Sequence, residues 1–422
     1  MTEQQERTPD RKSVGWLRAF NFSVAQVELG LVPFIALFLQ SSAQWSTSQV
    51  GAALAFGSVV QLLVQTPAGA LIDRLKAKRW LLAAATGMVG LGCAALLVST
   101  AAPLVWASQG VIGIARAVFP PAMAAITLGM FGKAGMDRQS GVSQGFNAAG
   151  SVFTALLLAA AGYYFGLPAM FYAVLGLCLA TLLCLQRIRG GDIDFEAARG
   201  NEGHAAGDVK KPETPRGLRD IYRSLADLCR ESAVRRFLLC AVLFYAADTA
   251  MVPLVTQILG KGEGTQRALL MTSSYIAVSQ ILFIVVAPLC GKLVGSIGRK
   301  PLLVFAFVAL AGRAGLSAYA DSPMVLLAAQ CTDALSTGLF GLLGVLVISD
   351  FTRDKGNFNV AFAALSTVQG VGGVVSNALG GYLADSIGAA PTFMVLGGFA
   401  AAGVVIAMLV PETGKKPSGG SP

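Results

Sequence analysis

The sequence predicts an all-α integral membrane protein with twelve transmembrane helices. Three observations carry that prediction. Of the 422 residues, 55% are hydrophobic and 13% charged, with a mean hydropathy of +0.65. A soluble domain carries about 25% charged residues, so a water-soluble fold of this composition could not cover its own surface. The apolar residues are gathered into runs close to the ~20 residues that cross a bilayer. Lys and Arg crowd alternate loops between those runs, which is the bias that orients helices in a membrane. The net charge of +9 therefore does not mark a nucleic-acid-binding stripe.

Taken in order, the runs are 14–40, 48–72, 79–101, 104–131, 140–165, 168–187, 236–260, 267–293, 301–320, 323–350, 359–384 and 390–411. Several are longer than a span requires, so tilt or kinks are expected. Pro33, Pro67, Pro120, Pro121, Pro253 and Pro288 supply kink sites, tolerable where neighbouring helices pack around them. Basic residues flank the runs on one side: Arg7, Arg11, Lys12 and Arg18, then Arg74, Lys76, Lys78 and Arg79, then Lys133 and Arg138, and later Lys292, Arg299, Lys300, Arg353, Lys355, Lys415 and Lys416. The opposite loops hold Lys261 and Arg267. Both termini are thus expected in the cytoplasm of a bacterial inner membrane, with short outer loops. The polar start, "MTEQQERTPDRKS", does not read as a cleavable signal peptide.

The stretch 188–235 is the long polar insert. Residues 189–217 are rich in Gly and charge and read as a flexible linker, while Leu218, Ile221, Leu225 and Leu228 fall at helical spacing among arginines, as in an interfacial amphipathic helix or a packing helix. The domain expectation is a six-helix bundle over 1–187, the linker over 188–235 and a second bundle over 236–422. The seven cysteines form no CxxC pair or zinc spacing and read as small apolar residues. No metal or cofactor is implied, and a monomer is expected.

The halves repeat. "VELGLVPFIALFLQ" (27–40) aligns with "ADTAMVPLVTQILG" (247–260), which sets Glu28 on Asp248, each five residues before a proline. Gly69 and Lys78 align with Gly291 and Lys300, and Gln109 with Gln330. The loop "GALIDRLKAKR" (69–79) resembles the signature loop of the major facilitator superfamily in Gly69, Asp73, Arg74 and Lys78, and departs from it at Lys76 and Ala77. The second copy, "GKLVGSIGRK" (291–300), keeps Gly291, Gly298, Arg299 and Lys300 and has Gly295 in place of the acid. The resemblance spans the whole chain and implies two pseudosymmetric six-helix bundles with a solute site between them. It also assigns Gly69, Asp73, Arg74, Gly291, Gly298, Arg299 and Lys300 to gating, Gly69 by permitting close helix approach and Asp73 by capping a helix N-terminus.

Five ionisable residues lie deep in the runs: Glu28, Arg116, Asp248, Arg313 and Asp333. A charge near the bilayer centre costs at least about 2.5–3.5 kcal/mol, so such groups face a cavity or a partner. At ~1.5 Å per residue Glu28 and Arg116 sit at matching depth, on helices 1 and 4, which the resemblance puts at the cavity. A Glu28–Arg116 pair and an Arg313–Asp333 structural pair are therefore expected, with Asp248 left without an obvious partner as the freer titratable group. Asn21, Gln144, Asn147 and Tyr245 lend hydrogen-bonding capacity to the same cavity.

These residues suit a carrier of a small-molecule substrate coupled to protons. The fifth-run stretch "GVSQGFNAAG" (141–150) resembles the exporter motif of the superfamily in Gly141, Gly145 and Gly150 and departs from it at Phe146 and Ala149, while Trp106 stands where helix 4 usually has Arg. Export, as in an antiporter, is the expected direction. Proton-coupled uptake of a siderophore-like or other organic solute and a non-transporting membrane receptor or scaffold remain the alternatives. "GVSQG" also fits a hydrolase elbow, but that needs a strand–turn–helix and a usable histidine. The sole histidine, His204, stands in the linker, so no enzyme is expected.

Overall fold

The computed structural model describes residues 9–25, 31–74, 78–194, 230–262, 264–352 and 358–413. Among the described residues the regular structure is helical, without strands. In chain order the helices are α1 (Arg11–Ala25), α2 (Val32–Ala43), α3 (Thr47–Arg74), α4 (Lys78–Val98), α5 (Ala102–Phe165) and α6 (Ala169–Arg187), then α7 (Ser232–Asp248), α8 (Met251–Gly262), α9 (Thr265–Ile297), α10 (Arg299–Ala318), α11 (Pro323–Thr352), α12 (Phe358–Ser386) and α13 (Ala389–Met408). Eleven described segments are long and apolar enough to cross a membrane.

Of the remaining run, 14–40, the described residues form α1 and the shorter apolar α2, and Glu28 falls in 26–30, outside the described residues. The run 236–260 is divided into α7 and α8. Pro253 has no N–H to give to the Thr249 carbonyl, and the chain turns at Thr249–Ala250. The buried Ala250 N–H donates to Ser376 Oγ of α12 at 2.9 Å, the neighbour-helix compensation a broken membrane helix needs. Runs 104–131 and 140–165 are two spans, Ala102–Gly132 and Gln139–Phe165; α5 thus comprises two helices that meet at a kink at Gly132, whose non-helical φ of 67° favours a residue without Cβ.

The chain forms two compact units: Met1–Ser46, Phe56–Gly207 and Thr256–Gln280 in the first, and Thr47–Ala55, Asp208–Val255 and Ile281–Pro422 in the second. Within the first, Gly150 of α5 meets the backbone of Phe22 in α1, so that an added Cβ would lie 1.9 Å from the Phe22 carbonyl oxygen. In the second, a Cβ on Gly372 of α12 would lie 2.5 Å from the Val242 oxygen of α7. Phe22 and Val242 occupy equivalent places in the repeat, so the same small-residue helix contact is built twice. In the second unit the start of α3 is held by α12: Asp385 accepts from the Thr47 and Ser48 N–H groups at 3.1 and 2.5 Å, beside the Gly51–Gly381 approach.

The beginning of the polar insert is not free linker. Arg189 pairs with Asp10 at 3.0 Å, Ser13 Oγ donates to Asp192, Arg79 donates to the Ile188 carbonyl, and Asp194 N–H donates to the Gly129 carbonyl at 3.0 Å. Ile188 and Ile193 are buried by this strap. The charges that make 189–194 look like linker are its anchors. The amphipathic stretch at 218–228 and His204 lie outside the described residues.

Candidate functional site

The second unit concentrates the buried charge. Asp248 is the last residue of α7, at the break before α8; Arg313 is on α10; Asp333 is on α11. Arg313 Nη1 lies 2.6 Å from Asp248 Oδ1 and 2.6 Å from Asp333 Oδ1. The Arg313 side chain is 1% exposed, whereas Asp248 and Asp333 keep 16% and 15%. One guanidinium thus ties three helices together, with the carboxylates at its open side. With all three ionised the cluster carries one net negative charge.

Aromatic packing joins the same three helices. Phe244, Phe307 and Phe340, from the same three helices, are fully buried, with Phe244 and Phe340 stacked at 4.1 Å and Phe307 set edge-on to both at 5.5 and 5.8 Å. Such pairs add about 0.5–1.5 kcal/mol each beyond burial. They fix the spacing of α7, α10 and α11 within one to two turns of the charges, and Gly403 of α13 leaves room for the Phe307 ring. Tyr245, expected at the site, packs edge-on to Phe340 at 6.1 Å, one turn before Asp248.

Asp333 is further held by Gln330 Nε2 on Oδ2 at 3.0 Å and by Thr337 Oγ1 on Oδ1 at 3.1 Å. The expectation that Asp248 has no partner is therefore corrected, since it shares Arg313 with Asp333. Run-by-run depth misses this because it gives the level of a residue and not the direction it faces. Thr337 and Ser376 were missed as well. Thr337 was available as the i+4 neighbour of Asp333, whereas Ser376 carries no sequence signal linking it to Ala250.

The other expected residues are less closely gathered. Arg116 is half-buried in α5, and its expected partner Glu28 lies outside the described residues. Asn21 is buried and turned back on its own helix, donating to the Leu17 carbonyl at 2.8 Å. Asn147 is buried and Gln144 exposed, both on α5. Ser143 stands inside α5, not on a strand–turn–helix elbow.

Of the gating set, Gly298, Arg299 and Lys300 form the N-terminus of α10. Gly298 has φ 101°, and the Glu412 carboxylate accepts from the N–H groups of Arg299 and Lys300 at 2.8 and 3.1 Å. Arg299 also pairs with Asp350 and donates to the Leu346 carbonyl at 3.0 Å. Here a carboxylate does cap a helix start, but it comes from the "PET" segment (411–413). Asp73 and Arg74 end α3, and Gly291 lies in α9. Gly69 is corrected: among the described residues nothing lies within 4 Å of where its Cβ would be. The close approach in that helix is at Gly57, whose carbonyl meets Gly113 of α5.

A family model described as Major Facilitator Superfamily matches residues 14–312 and 237–422. Two relatives, both uncharacterized MFS-type transporters of Mycobacterium tuberculosis (strains CDC 1551 and H37Rv), are each 34% identical over 398 residues, covering 94% of this chain and 93% of theirs. The fold is similar to crystal structures of the nucleoside transporter NupG. A mutant form gives a TM-score of 0.78 at 12% identity, covering 94% of this chain and 99% of that one. The second NupG structure gives 0.73 at 12% identity, covering 94% and 98%.

Proposed function

The chain belongs to the Major Facilitator Superfamily, and from that premise we propose that it is a secondary active exporter of a small organic solute, driven by protons through alternating access. The two six-helix halves, 1–187 and 236–422, are the moving parts, in a bacterial inner membrane with both termini in the cytoplasm. The observation that carries the coupling is the Asp248–Arg313–Asp333 cluster, placed where α7 is interrupted. A net charge of −1 leaves room for one positive charge. A proton, or a basic group of the solute, can occupy it in turn, and occupancy changes what holds α7 to α10 and α11. Glu28, at the equivalent place in the repeat, serves the first half with Arg116.

Export rests on the Gly141, Gly145 and Gly150 pattern, of which Gly150 makes the tight contact with α1. The test is overexpression in a bacterial host lacking its own efflux pumps, challenged with an array of toxic organic solutes. Export predicts raised tolerance to at least one compound, abolished by a protonophore. Raised sensitivity instead would indicate uptake, and no change in tolerance or flux from a well-folded protein would favour a receptor.

A further inference from the structure

The two carboxylates that share Arg313 are held unequally. Asp333, inside α11, receives Arg313 Nη1, Gln330 Nε2 and Thr337 Oγ1. Gln330 and Thr337 stand three residues before it and four after it, on its own face of the helix. Gln330 is itself buried. Among the described residues, Asp248 receives one donor, the Arg313 Nη1 atom it shares with Asp333. It stands at the C-terminal end of α7, where the helix presents carbonyl groups and the negative end of its dipole, so the helix offers a carboxylate no donor there. Asp333 is thus fastened by charge-assisted bonds from three side chains, whereas Asp248 is released by breaking one.

We propose that Asp333 is the permanent counter-ion of Arg313, that Asp248 is the partner Arg313 gives up when the site takes a positive charge, and that Gln330 and Thr337 are the positioning residues that enforce this difference. The proposal rests on the coupling reading above and assigns its parts. A proton from the aqueous side binds an Asp248 oxygen, Arg313 stays charged and paired with Asp333, and the cluster passes from −1 to neutral. α7 then loses its ionic tie to α10 and α11 at the residue where it is already interrupted. Among the described residues of α12 and α13, which also pack on α7, no charged side chain lies near the cluster. The ionisable side chains of α12 are Tyr382 and Asp385, at its far end, and α13 has none. On α7 the nearest titratable group is Tyr245, one turn earlier.

The test is infrared difference spectroscopy of the purified full-length protein stepped between acidic and alkaline pH, reading the carbonyl stretch of protonated carboxyl groups, with the proton itself as probe. The wild type is expected to show a titrating carboxyl band. That band should move in frequency in Asp248→Glu and stay in place in Asp333→Glu. A band that moves with Asp333→Glu and not with Asp248→Glu overturns the division of labour while leaving a proton site in the cluster. A wild type with no titrating band overturns the coupling reading itself. Gln330→Leu keeps both carboxylates and so tests positioning if a Glu variant misfolds. It should split the band as Asp333 begins to share the proton, and an unchanged band removes Gln330 from the role.

Discussion

Arg313 is the point at which removal of one side chain should have the largest consequence. Unit charges about 4 Å apart interact by about 4 kcal/mol at an effective dielectric near 20. Arg313 makes two attractions of that order. The two carboxylates, whose bonded oxygens each lie 2.6 Å from one nitrogen and so no more than about 5 Å apart, repel one another by roughly 3 kcal/mol. Arg313→Met keeps an apolar side chain of similar length but removes both attractions and leaves the repulsion. Removing one member of a buried pair destabilises by about 3–5 kcal/mol, and this variant is expected in that range. Asp248→Asn removes one attraction of about 4 kcal/mol together with the repulsion of roughly 3 kcal/mol, leaves Arg313 and Asp333 balanced, and should change stability by only about 1 kcal/mol. Adding Asp248→Asn and Asp333→Asn to Arg313→Met removes the uncompensated charge, and most of the lost stability should return. The assay is thermal unfolding in detergent followed by fluorescence-detected size exclusion, at one pH and salt concentration. An Arg313→Met protein that melts with the wild type, or a triple variant no better than the single one, would refute the charge account.

Other expectations follow from named contacts. Gly150→Ala and Gly372→Ala each drive a Cβ against backbone, so each should destabilise by about 1–3 kcal/mol, while Gly69→Ala, with open space around it, should stay within about 0.5 kcal/mol of wild type in the same melt. Asp385→Ala leaves the Thr47 and Ser48 N–H groups without their cap, an expected loss of about 0.5–2 kcal/mol, read as a lower melting temperature than that of Asp321→Ala, a control at an exposed carboxylate. A reporter fused after Lys211 or at the C-terminus should be cytoplasmic and one inserted near Gly262 external, and any exchange of these sides contradicts the orientation.

How far the sequence could be read varied with the kind of information required. Pro253 and Asp248 marked the level at which the chain is interrupted between α7 and α8, because a missing N–H and a buried charge are visible in any single sequence. The partners of Asp248 were not legible. Asp248 and Arg313 are 65 residues apart in the chain, and which faces of α7 and α10 meet is set by the Phe244–Phe307–Phe340 packing and by Gly403. Gly298 stood out as a motif glycine, yet its reason, a positive φ beside the Glu412 carboxylate, depends on a contact across more than 100 residues. At Gly69 the motif pointed to close packing that is made instead by Gly57 and Gly113. Local chemistry is written locally, and helix rotation and long-range partners arise from packing.

The central claim is that Asp248, at the end of α7, and Glu28, its counterpart in the repeat, join solute movement to protons. Its most direct test uses proteoliposomes holding the solute identified by the tolerance screen, with flux followed under an imposed pH gradient and, separately, as solute exchange at equal pH. For Asp248→Asn the account predicts that gradient-driven flux falls to the level of the protonophore control while exchange at equal pH persists. Gradient-driven flux that keeps its wild-type rate and pH dependence in Asp248→Asn, and again in Glu28→Gln, would contradict it.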